Sequence, residues 1–139
     1  MEPRDPTRLR HRLARLPDDG RELISGEKRH AASPETFRIP PREVRERLRV
    51  GQAVKLLFHI AATTPEGRPA GGVERMWAIV AGRAGELFVG ILESEPAEET
   101  TALGPGAEFF FGPEHVIDID DPPPEYVEQK YGRRLFQRP

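Results

Sequence analysis

The residues best suited to acid–base chemistry lie close together in the last quarter of the chain. Glu114, His115 and Asp118 combine two carboxylates with an imidazole that titrates near neutral pH. A histidine with carboxylates is also a ligand set for a divalent metal. In an extended segment, however, His115 would share a face with Ile117 rather than with Asp118, and no second histidine follows at a ligand spacing. The pattern favours a solvated acidic turn, and an enzyme that uses these three residues, with or without a metal, is an alternative.

Other catalytic and cofactor-binding patterns are missing from the sequence. There is no cysteine, hence neither a thiolate nucleophile nor a Cys-ligated zinc. Ser25, Ser33 and Ser94 lie in unrelated predicted loops, and none of them belongs to a Gly-x-Ser-x-Gly turn. The glycines match neither of the common phosphate-binding patterns. We therefore expect a protein without catalytic residues, metal or cofactor.

The best candidate for recognition is the stretch VERMWAIV, which contains the single tryptophan, Trp77. One interpretation is a core tryptophan that packs with apolar neighbours of the same strand face. The other is an open binding surface formed by Glu74, Arg75 and Trp77, with Lys55 on the neighbouring predicted strand. Arginine and tryptophan contribute much of the binding energy at protein interfaces, so a protein is the expected partner.

The same surface suits a second class of partner, single-stranded nucleic acid or RNA. Lys55, Arg75 and Trp77, together with His59, would form an aromatic platform among basic residues. Residues 1–49 carry 13 Lys and Arg against 9 Asp and Glu, whereas residues 50–139 carry 8 against 14. The predicted strands lie in the acidic part, which disfavours a polyanion, and nucleic-acid binding is therefore an alternative.

Residues 1–32 are predicted to form a basic N-terminal appendage that is partly helical or mobile. Leucines and arginines recur there at helical spacing. The leucines are Leu9, Leu13 and Leu16, and the arginines are Arg8, Arg12 and Arg15. We expect a helix that docks on its own domain. Its arginines would provide a secondary contact or an oligomerisation element, so a homo-oligomer is among the expected states.

Length and composition limit the remaining possibilities. A chain of 139 residues suits one domain, and 37% apolar residues with 15 prolines indicate a modest core. No apolar run approaches the roughly 18 residues of a membrane span, and the N-terminus lacks the apolar segment of a secretory signal. We expect a cytoplasmic protein without membrane contact. Its β-rich domain would cover residues 33–121, followed by a tail at 122–139 with a short helical turn.

The apolar pattern predicts the elements that position these residues. Two-residue alternation and turn residues predict five strands, at 53–60, 73–81, 86–92, 107–111 and 114–119. A polar loop over Thr63–Gly72 separates the first two, and its length and composition predict mobility. A short helix over 41–49 precedes the first strand, beginning at Pro41. The predicted fold is mainly β (α+β), a small antiparallel β-barrel or strongly curved sheet of four to five strands.

Four segments of the chain together resemble a known bacterial family. They are SPETFRIPPREVRERLRVGQAVKLLF, VERMWAIV, FVGILESEP and LGPGAEFFFGPEHVIDI, which span about residues 33–119. In order and spacing they are similar to the family catalogued as domain of unknown function 2314. Two residues depart from the family's pattern: Ser94 stands where the family often has Asn or Asp, and Ala107 stands where a polar residue is common. The resemblance implies a small β-rich bacterial domain and no particular reaction.

Overall fold

The computed structural model describes residues 12–96 and 103–136, which form an antiparallel sheet with short helices around it. The strands are β1 (Arg21–Leu23), β2 (Ala53–Thr63), β3 (Pro69–Ala84), β4 (Leu87–Leu92), β5 (Glu108–Phe111) and β6 (Val116–Asp120). The helices are α1 (Leu16–Asp19), α2 (Gly26–Ala32), α3 (Arg42–Glu46) and α4 (Pro124–Tyr131), with 3-10 helices at Pro113–His115 and Gly132–Arg134.

The hairpin of β2 and β3 is the centre of the sheet. These strands pair along the whole of β2, from Ala53 opposite Ile79 to Thr63 opposite Pro69. β4 and β5 continue the sheet beyond β3, while β6 and β1 pair with successive parts of the other edge of β2. The register shifts where β6 meets β2 and where β4 meets β3, and such bulges increase the local twist. The sheet is therefore a strongly curved half-barrel.

The inner face of the half-barrel holds the larger apolar cluster. Alternate residues of the strands point into it, as the two-residue pattern dictates. The cluster includes Val54, Leu56, Phe58, Ile60, Met76, Ala78, Val80, Phe88, Leu92, Phe109 and Phe111. Gly90 makes the aromatic packing possible, because a Cβ there would lie 2.9 Å from the Phe109 ring and 3.2 Å from the Phe111 ring. The sheet can curve tightly because this strand position carries no side chain.

The outer face is also apolar, and α4 covers it. Val127 and Tyr131 of α4 are buried in a second cluster with Ile79, Val89 and Ile91, and Trp77 packs against this cluster. The chain after α4 adds a further contact, since the Phe136 N–H donates to the carbonyl of Ala81 over 2.7 Å. Around β4 both faces of the sheet are therefore covered, which explains the nearly continuous burial of that strand.

The fold class predicted from the sequence is confirmed, with six strands where four or five were expected. The additional strand is β1, which lies within the segment predicted to be an appendage and pairs with Phe58–Ile60. At the other end, the segment predicted to be a tail contributes α4 and its buried face. The predicted boundaries at residues 32 and 121 thus separate segments that pack together.

The predicted loop over Thr63–Gly72 is wrong in its extent. β2 continues to Thr63 and β3 begins at Pro69, so only five residues form the connection. The Thr64 N–H donates to the carbonyl of Arg68 over 2.9 Å, and the Arg68 N–H donates back to the Thr64 hydroxyl over 3.1 Å. Gly67 supplies the positive φ of 86° that closes the turn. Pairing across the hairpin outweighs the weak strand propensity of its Gly, Pro and Ala residues.

The N-terminal helix predicted from the leucine and arginine spacing is also wrong over its described part. Residues 12–15 form no helix, Arg15 has extended backbone angles, and α1 begins at Leu16, where the helix was expected to stop. The Arg15 N–H donates to the carboxylate of Asp19 over 2.7 Å, and the Leu16 N–H donates to that of Glu22 over 2.9 Å. Pro17 has no N–H for an upstream carbonyl, so the helical ladder cannot continue through it. Leu9 and Arg8 lie outside the described residues.

Candidate interaction surface

Lys55 and Trp77 are cross-strand partners on the outer face of the sheet. They lie opposite each other on β2 and β3, and the Lys55 Nζ is 5.2 Å from the centre of the Trp77 ring. Trp77 is half-buried, packed against the outer cluster on one side and accessible on another. This arrangement is a cation–π pair in which the sheet fixes the ring.

A turn after β4 fixes the backbone of Trp77. The Trp77 N–H donates to the Ser94 hydroxyl over 2.9 Å, and its carbonyl accepts from the N–H groups of Glu93 and Ser94 over 2.9 and 3.2 Å. Ser94 is one of the two departures from the family pattern, and here its side chain replaces a ladder hydrogen bond where β4 ends. Both backbone hydrogen-bonding groups of Trp77 are therefore occupied on the edge of β3 that faces away from β2.

The same turn connects Trp77 to α4. The Glu93 carboxylate accepts hydrogen bonds from the hydroxyl groups of Tyr126 and Tyr131, and the Lys130 Nζ lies 3.4 Å from it. That Nζ also lies 5.5 Å from the Tyr126 ring centre and 5.4 Å from that of Tyr131. The hydrogen bond to Tyr126 is the main cause that raises the pKa of Lys130, with the Glu93 charge adding to it. Lys130 is therefore held in its charged form.

The Glu93 turn thus joins the Lys55–Trp77 pair to the tyrosines and the lysine of α4. We call this group of residues the aromatic–lysine surface, defined by Lys55, Trp77, Glu93, Tyr126 and Lys130. Tyr126 is 40% exposed, which is high for a large apolar side chain. Sequence reasoning found Lys55 and Trp77 from strand parity but not the three others. For Tyr126 and Lys130, the one signal in the sequence is an aromatic residue four positions before a lysine in the predicted helical turn.

The other two residues of the predicted surface lie differently. Arg75 is exposed on the same face as Trp77, one cross-strand pair further along, with its guanidinium carbon 5.8 Å from the Phe37 ring centre. Glu74 is opposite Phe58 and has the parity of Met76, so it belongs to the inner face. The structure thus brings Lys55, Arg75 and Trp77 to one face and separates Glu74 from them.

Two of the three arginines of the predicted basic contact, Arg12 and Arg15, form ion pairs within the chain, and Arg8 lies outside the described residues. The Arg12 guanidinium donates to both oxygens of the Asp19 carboxylate, over 3.0 and 3.2 Å. These hydrogen bonds are the main cause that lowers the pKa of Asp19. The Arg15 Nε lies 3.7 Å from the Asp18 carboxylate. Two aspartates therefore offset the positive charge that the sequence suggested for a partner.

The predicted acid–base group is not assembled as one site. His115 is buried in a 3-10 helix, where its Nδ1 accepts a hydrogen bond from the Gly112 N–H over 2.9 Å. Its Nε2 lies 3.7 Å from the Glu114 carboxylate. Burial lowers the pKa of His115, although the Glu114 charge opposes this effect. Asp118 is exposed on β6 opposite Lys55, on another face of the sheet from the inner cluster.

A buried arginine beside His115 was not predicted. Arg45 of α3 is 4% exposed, and its guanidinium donates to the carbonyls of Pro40 and Pro113 and to the Glu27 carboxylate, each over 2.8 Å. The hydrogen bond from Arg45 is the main cause that lowers the pKa of Glu27. All of its acceptors belong to the protein, so this cluster joins α2, α3 and the 3-10 helix. No spacing in the sequence distinguishes Arg45 from the exposed arginines around it.

An open groove of about 760 Å³ lies between the start of α4 and the segment before β2. Its walls include Val50, Val127, Phe136 and the proline run Pro122–Pro124, with Asp121 at the rim. Val50 and Phe136 are 43% and 42% exposed. Within residues 12–96 and 103–136, no group of three or more His, Asp or Glu side chains is placed to hold a metal ion.

No protein-family model matches the chain, and no curated protein or solved structure is significantly similar to it. Among the described residues, no helix is both long and apolar enough to cross a membrane.

Proposed function

We propose that this protein is a non-catalytic bacterial binding module of the cytoplasm that recognises another protein through the aromatic–lysine surface. The observation that supports this most is the Lys55–Trp77 pair. Its ring is half-buried against the outer cluster and remains partly accessible, and Tyr126, joined to it through Glu93, is 40% exposed. Rigid aromatic groups lose little conformational entropy on binding and are enriched among the residues that dominate interface energies.

The charges of the surface indicate the kind of partner. Lys55 and Lys130 alternate with Glu93 and Asp118 over a short distance. A mixed pattern of both signs suits a protein surface with complementary charges better than the uniform negative charge of nucleic acid. Nucleic-acid binding therefore ranks below protein binding as a proposal. The resemblance to domain of unknown function 2314 agrees with a small β-rich module and adds no reaction.

An enzyme that uses Glu114, His115 and Asp118 has less support. A general base must reach the proton that it removes, and His115 is buried with one ring nitrogen engaged by Gly112. Asp118 projects from another face of the sheet, beside Lys55. The polar contacts of His115 instead hold the 3-10 helix in place.

The proposal can be tested with Lys55→Glu and a matched control. Lys55→Glu reverses the charge over the Trp77 ring, whereas Lys28→Glu makes the same change on exposed α2. Tagged wild-type protein and both variants would be used to capture partners from a bacterial lysate treated with nuclease, with quantification by mass spectrometry. We expect one stoichiometric protein that Lys55→Glu recovers at least about tenfold less well, while Lys28→Glu recovers it normally.

Three results would oppose the proposal. If Lys55→Glu and wild type recovered the partner equally, with both folded by circular dichroism, the aromatic–lysine surface would not be the binding site. Capture that disappears with nuclease would favour nucleic acid. If no protein were captured, the proposal of a protein partner would be contradicted.

A further inference from the structure

We propose that the free edge of β3, from Gly71 to Arg75, pairs with the same edge of a second copy of this chain to form a two-fold symmetric dimer. β3 pairs with β2 from Pro69 onward, but β4 pairs with β3 only from Ala78 onward. Among the described residues, the N-terminal part of β3 therefore has a strand on one side only. This inference concerns self-association and does not depend on the proposed function.

The alternation of an antiparallel ladder identifies the groups at this edge. The Trp77 N–H and carbonyl bond to Ser94 and Glu93, so they point away from β2. Every second residue of a strand has the same orientation. Arg75, Val73 and Gly71 therefore present their N–H and carbonyl groups to the open side, and these are the groups that a further strand would bind.

The edge is bounded at both ends. At one end the Ser94 turn occupies the groups of Trp77. At the other end is Pro69, which has no N–H to donate. Three outward-facing residues remain, and Val73 is the middle one. A symmetric antiparallel pair that uses the whole free edge must therefore have its two-fold axis at Val73.

The side chains fit this register when the second copy is the occupant. Val73 would lie opposite Val73 of the second copy, and among the described residues it is the most exposed large apolar side chain, at 47%. Arg75 would lie opposite Gly71, and Glu74 opposite Gly72, so each long charged side chain faces a residue with none. The ladder would contain about six backbone hydrogen bonds. An edge of five residues is short, so we expect a weak dimer with a dissociation constant of about 10–100 µM.

The test compares Val73→Lys with Val44→Lys, because both positions are valines of nearly equal exposure, 47% and 45%. Val73→Lys places two ammonium groups directly opposite each other across the axis, where like charges repel. Val73 directs its backbone groups away from β2, so this substitution leaves the ladder with β2 intact. Sedimentation velocity from about 1 to 300 µM would measure the dimer fraction of wild type and both variants.

We expect concentration-dependent dimerisation of wild type and of Val44→Lys, and a dissociation constant at least about tenfold higher for Val73→Lys. A wild-type protein that stays monomeric over the whole range overturns the proposal. So does a dimer that Val73→Lys leaves unchanged, since its interface would then lie elsewhere. Lys55→Glu should still dimerise and Val73→Lys should still capture the protein partner, so failure of either proposal can be recognised separately.

Discussion

The difference between two arginines that bind the same carboxylate offers a sharp test of the packing. Arg42 and Arg45 both donate to the Glu27 carboxylate, but their side chains are 53% and 5% exposed. Replacement of each by methionine removes the charge and keeps most of the apolar stem. We expect Arg45→Met to lower the free energy of unfolding substantially and Arg42→Met to change it by no more than the experimental error.

The size of the effect follows from the contacts of Arg45. Its guanidinium makes three hydrogen bonds of 2.8 Å, to the Glu27 carboxylate and to the carbonyls of Pro40 and Pro113. A hydrogen bond with a charged partner contributes about 1.5–3 kcal/mol, and methionine would remove a donor from three part-buried acceptors, although Glu27 keeps Arg42 and the Pro113 carbonyl keeps the Val116 N–H. The apolar methionine side chain offsets part of this loss. We expect a net loss of about 3 kcal/mol, which corresponds to a fall in Tm of about 10 °C for a chain of this size.

Urea unfolding followed by Trp77 fluorescence and by circular dichroism would measure both variants. Trp77 is the single tryptophan, so the fluorescence reports the outer face of the sheet, distant in sequence from the substitution. Agreement of the two probes would justify a two-state treatment. If Arg45→Met lost no more stability than Arg42→Met, the buried cluster would not be holding α3 against the 3-10 helix, and its assignment as a structural cluster would be refuted.

Two further predictions concern His115 and Gly82. Because burial lowers the pKa of His115 below its ordinary 6.5, the unfolded chain binds the proton more readily, and stability is lost as the pH falls below about 6.5 toward the folded-state pKa. Urea midpoints at about pH 7.5 and 5 should differ for wild type and differ less for His115→Asn, and equal pH dependence would contradict this. Gly82→Ala should cost about 1–3 kcal/mol of unfolding free energy, because its Cβ would lie 2.8 Å from the Phe136 Cβ and closer still to the ring. Addition of Phe136→Ala to Gly82→Ala should restore much of that loss, whereas full stability of Gly82→Ala alone would show that this contact is absent.

The inner face of the sheet was predictable from the sequence because its pattern is strong. Val54, Leu56, Phe58 and Ile60 alternate with other residues along β2, and all four are buried in the inner cluster. The same parity placed Trp77 on the face opposite Met76 and beside Lys55, as the register shows. Alternation is a local property, so one sequence suffices to detect it.

The coverage of the outer face could not be predicted in the same way. Leu57 and Ile79 are 2% and 1% exposed, although they lie on the outer face of the sheet, which the alternating pattern does not predict to be buried. Ile79 is buried in the same cluster as Val127 and Tyr131 of α4, a helix distant in sequence with only a weak apolar pattern. A short-range pattern contains no information about which distant segment will pack on it.

The helix α2 could have been found, whereas β1 could not. Ser25 accepts a hydrogen bond from the Lys28 N–H, and serine followed by Glu27 and later by basic residues is typical of a helix start and end. β1 has only three residues, and its pairing partner is more than thirty residues away. The aromatic–lysine surface was predictable for Lys55 and Trp77 alone, because Glu93 and Tyr126 join them through a turn and a helix that parity does not describe.

Coverage of the central hairpin from both sides has a consequence for biosynthesis. A nascent chain that has emerged only as far as residue 84 contains all of β2 and β3, and on their inner face only earlier residues such as Leu23 and Leu48 are available to pack. The inner face waits for Phe109 and Phe111, and the outer face waits for α4 and the bond from Phe136 to Ala81. We therefore expect both apolar clusters to be completed only late in translation. Until residue 136 has left the ribosome, the hairpin should be a substrate for chaperones that bind exposed apolar strands.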